Sequence, residues 1–149
     1  SKISIEACWG LGEGVVKGDV TPSQFLVDKV MLSVLKRKIA VQPEEYRFDE
    51  AEGRVDLFAI DPSRSALPCL SDDEVLALAR LAKGIEKSRG APQDIEWAVG
   101  ADGRLHVLQV RPETVWSSKS ARPILNVTSP ISHVLSRMTG SVGVAKGTP

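Results

Sequence analysis

The chain has 149 residues, 42% of them hydrophobic and 26% charged, which is typical of one globular domain and excludes a disordered or collagen-like protein. Lysine and arginine together number 19, as do aspartate and glutamate, so no basic excess favours binding to nucleic acid. The sequence contains no apolar run of the roughly 20 residues that a membrane-spanning helix needs, and its first residues lack the apolar core of a signal peptide. Because the two cysteines lie far apart in the sequence, we expect reduced thiols rather than a disulfide. Taken together, these features predict a cytoplasmic protein with no nucleic acid or membrane partner.

The first elements are predicted to be two strands separated by a glycine turn. Alternating apolar residues predict a strand from Ile3 to Cys8. Cys8 is expected to be a small core residue. Because this pattern starts at once, we expect the chain to be a piece of a longer protein. Three glycines at every second position, from Gly10 to Gly14, are typical of a tight turn and match neither a Walker loop nor the full dinucleotide pattern. A second strand at residues 24–30 then gives a meander.

The next stretch, residues 33–60, is less well defined by its sequence. Charged clusters at 36–38 and 44–45 flank short apolar segments, so we expect edge strands and loops. The charged clusters are most simply explained as solvated faces or turns.

The clearest predicted element is a helix from Asp72 to Arg89. Ser71 precedes it as N-cap and Glu74 follows three residues later, which is the capping-box arrangement. Apolar residues at helical spacing form one stripe, and Gly90 suits the C-terminal end. We expect this scaffold helix to pack on a mostly antiparallel sheet, which gives an α+β fold.

A β-hairpin is predicted after the helix, with strands at 93–99 and 104–111 joined by a short turn that contains Asp-Gly. Residues two apart in a strand share a face, so Asp94 and Glu96 present two carboxylates on one side. Magnesium binds oxygen ligands and often takes one or two carboxylates together with phosphate and water. The pair is therefore a candidate Mg²⁺ site.

The returning strand places Gln109 and Arg111 on one face in the same way. Arginine offers phosphate oxygens a fixed fork of donors, and phosphoryl transfer depends chiefly on positioning and charge neutralisation. If the two polar faces coincide, the four side chains suit a magnesium triphosphate. The same alternation describes any strand pair with one wet face, so the pattern alone leaves both interpretations open. His106 is expected on the face opposite Gln109, as a surface or packing residue rather than a base.

Three segments occur in this order along the chain: EACWGLGEGVVKG at 6–18, QDIEWA at 93–98 and LQVRPETV at 108–115. Together with the helix before the hairpin, they resemble the phosphoenolpyruvate synthase and pyruvate phosphate dikinase family over residues 3–116. The resemblance implies that residues 1–116 are the C-terminal part of an ATP-grasp nucleotide-binding domain with ATP and Mg²⁺ as ligands. In that family the β-phosphoryl group of ATP passes to a histidine on a swivelling domain, and then to a small acceptor such as pyruvate.

The resemblance also implies roles for individual residues. It makes Asp94 and Glu96 the acidic pair at the metal, and Gln109 and Arg111 the partners of nucleotide phosphate, with Arg111 as the catalytic group. The segment around Glu13 would line the nucleotide cleft, and the residues concerned are Gly10, Gly12 and Glu13.

Two departures from the family pattern limit what this chain is expected to do alone. The family's preceding half, which carries a lysine and an arginine for the phosphates, has no counterpart here, so we expect an incomplete and inactive fragment whose partners are the remaining domains of the parent. Residues 117–123 predict a linker, and 117–149 would lead into a swivelling phosphohistidine domain. His133 is not expected to be the carrier histidine, because it lies close to the linker and lacks the alanine pair that follows the carrier in the family. The alternatives are a non-catalytic binding or regulatory subunit, or a phosphotransferase that acts on an antibiotic or phenol.

Overall fold

The computed structural model describes residues 2–113 and 142–144. The elements in chain order are β1 (Lys2–Cys8), α1 (Glu13–Lys17), β2 (Ser23–Asp28), β3 (Ser33–Lys38), β4 (Glu44–Asp49), β5 (Arg54–Ala59), α2 (Pro62–Ser65), α3 (Asp72–Arg89), β6 (Gln93–Val99), β7 (Leu105–Pro112) and β8 (Val142–Val144). None of the helices within this described part is long and apolar enough to cross a membrane. The predicted linker at 117–123 and His133 lie outside the described residues.

In the described part of the chain, six strands form one sheet in the order β3-β2-β1-β8-β6-β7, and β4 pairs with β5 in a separate two-stranded sheet. The β1-β2-β3 meander and the β6-β7 hairpin are both antiparallel, which confirms the predicted α+β fold. The exceptions are the two parallel pairings that β8 makes, one with β1 and one with β6. These short pairings join the meander to the hairpin.

The predicted scaffold helix is confirmed as α3, with the expected cap at each end. Ser71 Oγ accepts a hydrogen bond from the Glu74 amide at 3.3 Å, and the Glu74 carboxylate accepts one from the Ser71 amide at 2.8 Å. At the other end Gly90 takes a left-handed conformation, with φ of 72°, that glycine adopts without strain. A reciprocal cap satisfies amides that the first turn of a helix leaves unpaired.

The core lies between α3 and one face of the large sheet. Val75, Leu78 and Ala79 of the helix are buried, and the largest buried side chains of the sheet are Trp97 and Phe25. Because Ile95 and Trp97 point into this core, the alternate residues of β6 face away from α3. The polar residues of the β6-β7 hairpin therefore lie on the second face of the sheet, away from α3.

The stretch with the three alternating glycines, residues 10–14, is called the glycine segment, and it does not form a turn alone as predicted. Its last part starts the short helix α1, which packs over the C-terminal end of β1 in a small cluster that contains Cys8, Val15 and Val20. Cys8 is thus a core residue, as expected. The second strand also ends earlier than predicted, because the Asp28 carboxylate accepts hydrogen bonds from the amides of Val30 and Met31 and closes a turn there.

Candidate functional site

The β6-β7 hairpin brings four predicted site residues together on the face that turns away from α3. Asp94 lies opposite Arg111 across the two strands, and Glu96 lies opposite Gln109. Directly opposed residues of an antiparallel pair share a face with their Cβ atoms about 5 Å apart. We call Asp94, Glu96, Gln109 and Arg111 the hairpin face.

Arg111 bridges the two carboxylates of the hairpin face. Its Nη2 donates to Asp94 Oδ2 at 3.1 Å and to Glu96 Oε1 at 3.0 Å. The Arg111 side chain is 51% exposed, whereas that of Asp94 is only 13% exposed. The pKa of Asp94 lies above its ordinary value, chiefly because burial raises it. The Arg111 guanidinium partly opposes this effect, and the neighbouring Glu96 carboxylate adds to it. One guanidinium thus holds together two carboxylates that would otherwise repel each other.

The donor set of the hairpin face can be tested for its fit to Mg²⁺. Asp94 Oδ1 is buried and has no hydrogen-bond partner among the residues that the structure describes, which leaves one carboxylate oxygen with unused acceptor capacity. Within residues 2–113 and 142–144, no three His, Cys, Asp or Glu side chains converge in a way that could hold a metal ion. Two carboxylates fit Mg²⁺, which often takes only one or two from the protein. They do not fit a metal that needs a closed set of protein ligands.

A β-bulge in β7 corrects the prediction for His106. Glu96 pairs with Gln109 but Trp97 pairs with Val107, so Leu108 is an extra residue in β7. Beyond the bulge His106 pairs with Ala98, which is two residues from Glu96 and lies on its face of β6. His106 therefore lies on the same side as the hairpin face, not opposite Gln109. It is exposed, as expected for a surface residue.

The structure gives the glycine segment a packing role against β4. Gly10 has φ of 70° and forms a bridge with Tyr46, and the Leu11 amide donates to the Tyr46 carbonyl at 2.7 Å. A Cβ at Gly10 would lie 2.3 Å from that carbonyl oxygen, so only glycine allows this approach. Gly12 is the N-cap residue of α1, and Glu13 makes an exposed ion pair with Lys17 at 2.8 Å.

The glycine segment and the hairpin face are not in contact. Cys8 and Ala98 both pair with Val144, so the C-terminal ends of β1 and β6 lie level at one end of the sheet. Gly10 follows Cys8 by two residues, and Glu96 precedes Ala98 by two. From ordinary strand spacings their Cα atoms are therefore on the order of 15 Å apart. A ligand that touches both must be extended along the sheet.

Buried polar residues that the sequence did not single out hold the glycine segment in place. The Gln42 side chain, 1% exposed, accepts from the Trp9 amide at 2.9 Å and donates to the Thr21 carbonyl at 2.9 Å. Nearby, the Arg64 guanidinium makes two hydrogen bonds with Glu45 and stacks 4.5 Å from the Trp9 ring centre. Nothing local in the sequence marks these residues, because their partners are distant along the chain.

Glu6 is a further buried carboxyl on the same sheet face as Asp94 and Glu96. It is 6% exposed and accepts a hydrogen bond from Gln24 Nε2 at 2.9 Å. Burial raises its pKa above the ordinary value, and the Gln24 hydrogen bond opposes this effect. The signal for Glu6 was present in the sequence, since the alternation that buries Ile5 and Ala7 in the core places Glu6 on the opposite face.

Comparison with known proteins gives matches to one family and several relatives. Residues 1–129 match the family model for the pyruvate phosphate dikinase AMP/ATP-binding domain. A probable phosphoenolpyruvate synthase of Methanocaldococcus jannaschii is 34% identical over 147 residues, which cover 98% of this chain and 12% of that protein. The phosphoenolpyruvate synthase of Pseudomonas aeruginosa is 41% identical over 128 residues, which cover 80% of this chain and 16% of that protein.

A relative with a different name also matches. The prodigiosin synthesizing transferase PigC of Serratia marcescens is 41% identical over 122 residues, which cover 82% of this chain and 13% of that protein. The chain thus spans 12–16% of the length of these three relatives. The family match, in contrast, includes most of the chain and both the glycine segment and the hairpin face. The predicted resemblance is therefore confirmed, and the chain belongs to the pyruvate phosphate dikinase AMP/ATP-binding domain family.

Proposed function

We propose that the hairpin face binds the phosphates of ATP together with Mg²⁺, in a parent enzyme that transfers the β-phosphoryl group of ATP to a histidine and then to a small acceptor such as pyruvate. Membership of an AMP/ATP-binding family supports the nucleotide. The synthase relatives support the class of reaction, because they carry the name phosphoenolpyruvate synthase. In this proposal residues 1–116 form the C-terminal subdomain of an ATP-grasp fold in a cytoplasmic enzyme, and 117–149 lead to the domain that carries the histidine.

The observation that carries the proposal is the position of Arg111 between Asp94 and Glu96. These three side chains carry one positive and two negative charges at contact distance. Phosphate oxygens attract the Arg111 guanidinium in the same geometry as carboxylates do. When phosphate arrives, Arg111 turns from the carboxylates to the phosphate, and both carboxylates become available to a cation.

Each residue of the hairpin face has a distinct part in this scheme. Arg111 is the catalytic residue, because it binds and orients the phosphoryl group that is transferred. Gln109 adds an amide donor beside it, and Asp94 and Glu96 hold Mg²⁺. When bound, Mg²⁺ neutralises charge on the phosphate oxygens, which is the main requirement of phosphoryl transfer.

The glycine segment is proposed to line the other end of the nucleotide cleft. Gly10, Gly12 and Glu13 lie at the end of the sheet where β1 and β6 both finish. An ATP molecule extended along the sheet reaches from the hairpin face towards this segment. Packing against β4 then keeps the loop backbone rigid at the edge of the cleft.

A second candidate keeps the nucleotide site and changes the acceptor. The match to a prodigiosin synthesizing transferase favours it, because a relative of equal identity carries a name other than phosphoenolpyruvate synthase. In this proposal the acceptor is chosen by parts of the parent protein outside this chain, so the same hairpin face serves an enzyme whose acceptor is an antibiotic, a phenol or another small molecule. The alternative of a non-catalytic binding or regulatory subunit predicts no Mg²⁺-dependent ATP binding.

Calorimetry on the parent protein tests the proposal. ATP is titrated with Mg²⁺ and again with excess chelator, using the wild type, Glu96→Gln and Glu52→Gln. Glu52 is an exposed residue of the β4-β5 turn, so it is a matched control for the loss of one carboxylate. We expect Glu96→Gln to weaken Mg²⁺-dependent ATP binding by at least roughly tenfold, since a charge-assisted contact contributes about 1.5–3 kcal/mol. Equal binding by all three proteins would exclude the hairpin face as the metal site.

A further inference from the structure

His106 is a polar residue beside the hairpin face that the proposed function does not use. The β-bulge at Leu108 turns its side chain to the same side of the sheet as Gln109, and it pairs with Ala98 of β6. It is exposed, so a ligand on this side of the sheet can reach it. An imidazole has at least one N–H donor in each of its protonation states. His106 can therefore donate a hydrogen bond to a ligand that lies along the hairpin.

Along the sheet, His106 follows directly after the residues of the hairpin face. Residues that share a face of a strand follow one another in steps of roughly 7 Å. In order along the hairpin, the opposed pairs on this face are Asp94 with Arg111, Glu96 with Gln109, and Ala98 with His106. His106 is thus one step beyond Gln109, in the direction of the C-terminal end of β6.

The start of α1 lies at the same level on the same side of the sheet. Cys8 faces away from the core under α3 and packs against Val15 of α1. Cys8 and Ala98 both pair with Val144, so they are level. Three strand spacings separate β1 from β7, which puts the Cα atoms of Cys8 and His106 roughly 14 Å apart. This part of the sheet is therefore flanked by α1 on one side and by His106 on the other.

Small residues of β6 and the following turn let the imidazole lie close to the sheet. After Glu96, the next residues on this side are Ala98 and then Gly100. A Cβ at Gly100 would lie 3.4 Å from His106 Nε2 and 2.8 Å from Asp102 Oδ1. The imidazole thus extends over Gly100 and uses space that a larger side chain would take. Its position next to the path from the hairpin face towards the glycine segment depends on these small residues.

We propose that His106 donates a hydrogen bond to the α-phosphate of the bound nucleotide. This inference rests on the proposed function, because it takes the hairpin face as the site of the other phosphates. In that function Arg111 and Gln109 hold the phosphoryl group that is transferred, and the glycine segment lines the nucleoside end of the cleft. His106 lies one step from Gln109 towards the nucleoside end, so the α-phosphate is the group that passes it.

A contact to the α-phosphate makes a prediction for AMP as well as for ATP. Both nucleotides have this phosphate, and both occur in the name of the family. The cation held by Asp94 and Glu96 serves the further phosphates, which only ATP has. Variants of His106 and of Glu96 should therefore affect the two nucleotides differently.

Calorimetry on the parent protein with MgATP and with AMP tests the contact. His106→Ala should weaken the binding of both nucleotides at least roughly tenfold, as expected for loss of a hydrogen bond to a charged group. Glu96→Gln should weaken MgATP much more than AMP. Val107→Ala is the matched control, because Val107 is the exposed neighbour that pairs with Trp97 on the other face of the sheet. It should bind both nucleotides as the wild type does.

Two further variants at this position distinguish a hydrogen bond from packing. His106→Gln keeps an N–H donor near the position of Nε2, whereas His106→Phe keeps a flat ring without a donor. We expect His106→Gln to retain most of the affinity for AMP and His106→Phe to lose it as His106→Ala does. The reverse order would show that the ring packs on the nucleoside and would overturn the proposal. Because His106 is exposed, the thermal midpoints of all these variants should equal that of the wild type.

Failure of this inference differs from failure of the proposed function. If Glu96→Gln weakens MgATP while His106→Ala binds both nucleotides like the wild type, the hairpin face remains the metal site and the contact of His106 is overturned. A loss of MgATP affinity without a loss of AMP affinity in His106→Ala places His106 at another phosphate and also overturns the inference. Equal binding of MgATP by the wild type and Glu96→Gln contradicts the proposed function and this inference together.

Discussion

Replacing Gly10 by alanine should destabilise the protein much more than the same change at Gly53. Both glycines have a left-handed backbone, with φ of 70° and 63°, and a side chain costs about 1–2 kcal/mol there. A Cβ at Gly53 meets no atom within 4 Å, whereas at Gly10 it lies 2.3 Å from the Tyr46 carbonyl oxygen and 2.9 Å from Glu45 Cβ. The first of these neighbours is backbone, so the glycine segment must move away from β4.

The additional cost at Gly10 can be estimated from the hydrogen bond that this movement breaks. The Leu11 amide donates to the Tyr46 carbonyl at 2.7 Å, and leaving such groups unpaired costs about 1–3 kcal/mol. We therefore expect Gly10→Ala to lose about 3 kcal/mol or more and Gly53→Ala about 1 kcal/mol. For a domain whose stability is about 5–15 kcal/mol, this difference is large.

Urea unfolding of the two variants and the wild type measures the difference. Trp9 and Trp97 are buried, so tryptophan fluorescence reports the loss of both the glycine-segment contacts and the main core. Equal losses of unfolding free energy for the two variants would refute the packing role of Gly10. A clearly larger loss of unfolding free energy for Gly10→Ala than for Gly53→Ala would support it.

Two further predictions concern stability. Ser71→Ala should cost about 1 kcal/mol in urea unfolding because it removes the N-cap of α3, and Ser88→Ala in the last turn is the control; a change of the same size in both would contradict the capping role. Glu6→Gln should raise the thermal midpoint at about pH 7 and leave it nearly unchanged at about pH 4. Burial raises the pKa of Glu6 above its ordinary value of 4.5, so the folded state of the wild type loses stability as the pH rises above that value. A lower midpoint for Glu6→Gln at about pH 7 would show that the ionised carboxylate is stabilising.

The elements that could be predicted from the sequence are those whose signals are local. The capping box of α3 spans Ser71 to Glu74, and the apolar stripe of this helix repeats within one turn. The face shared by Asp94 and Glu96 follows from the two-residue period of a strand. Both predictions depend on neighbours within four residues, so no knowledge of the tertiary structure was needed.

What could not be predicted depends on contacts between distant residues. Gly10 meets Tyr46, and Gln42 reaches Ala7 and Trp9, over separations of more than 30 residues. The prediction for His106 was wrong because Leu108 is an extra residue in β7. The bulge therefore puts His106 on the same face as Gln109, and nothing in the alternation of the sequence marks an extra residue. The contact of Arg111 with both carboxylates likewise depends on the register of the hairpin, which the sequence suggests only through the family resemblance.

A crystal structure of the parent protein with Mg²⁺ and a non-hydrolysable ATP analogue tests the central claim most directly. The account predicts that Arg111 and Gln109 contact the phosphate oxygens and that Asp94 and Glu96 hold the cation directly or through water. Arg111 would then have left the position it now holds between the two carboxylates. A nucleotide bound elsewhere, with Arg111 still paired to Asp94 and Glu96, would contradict the account.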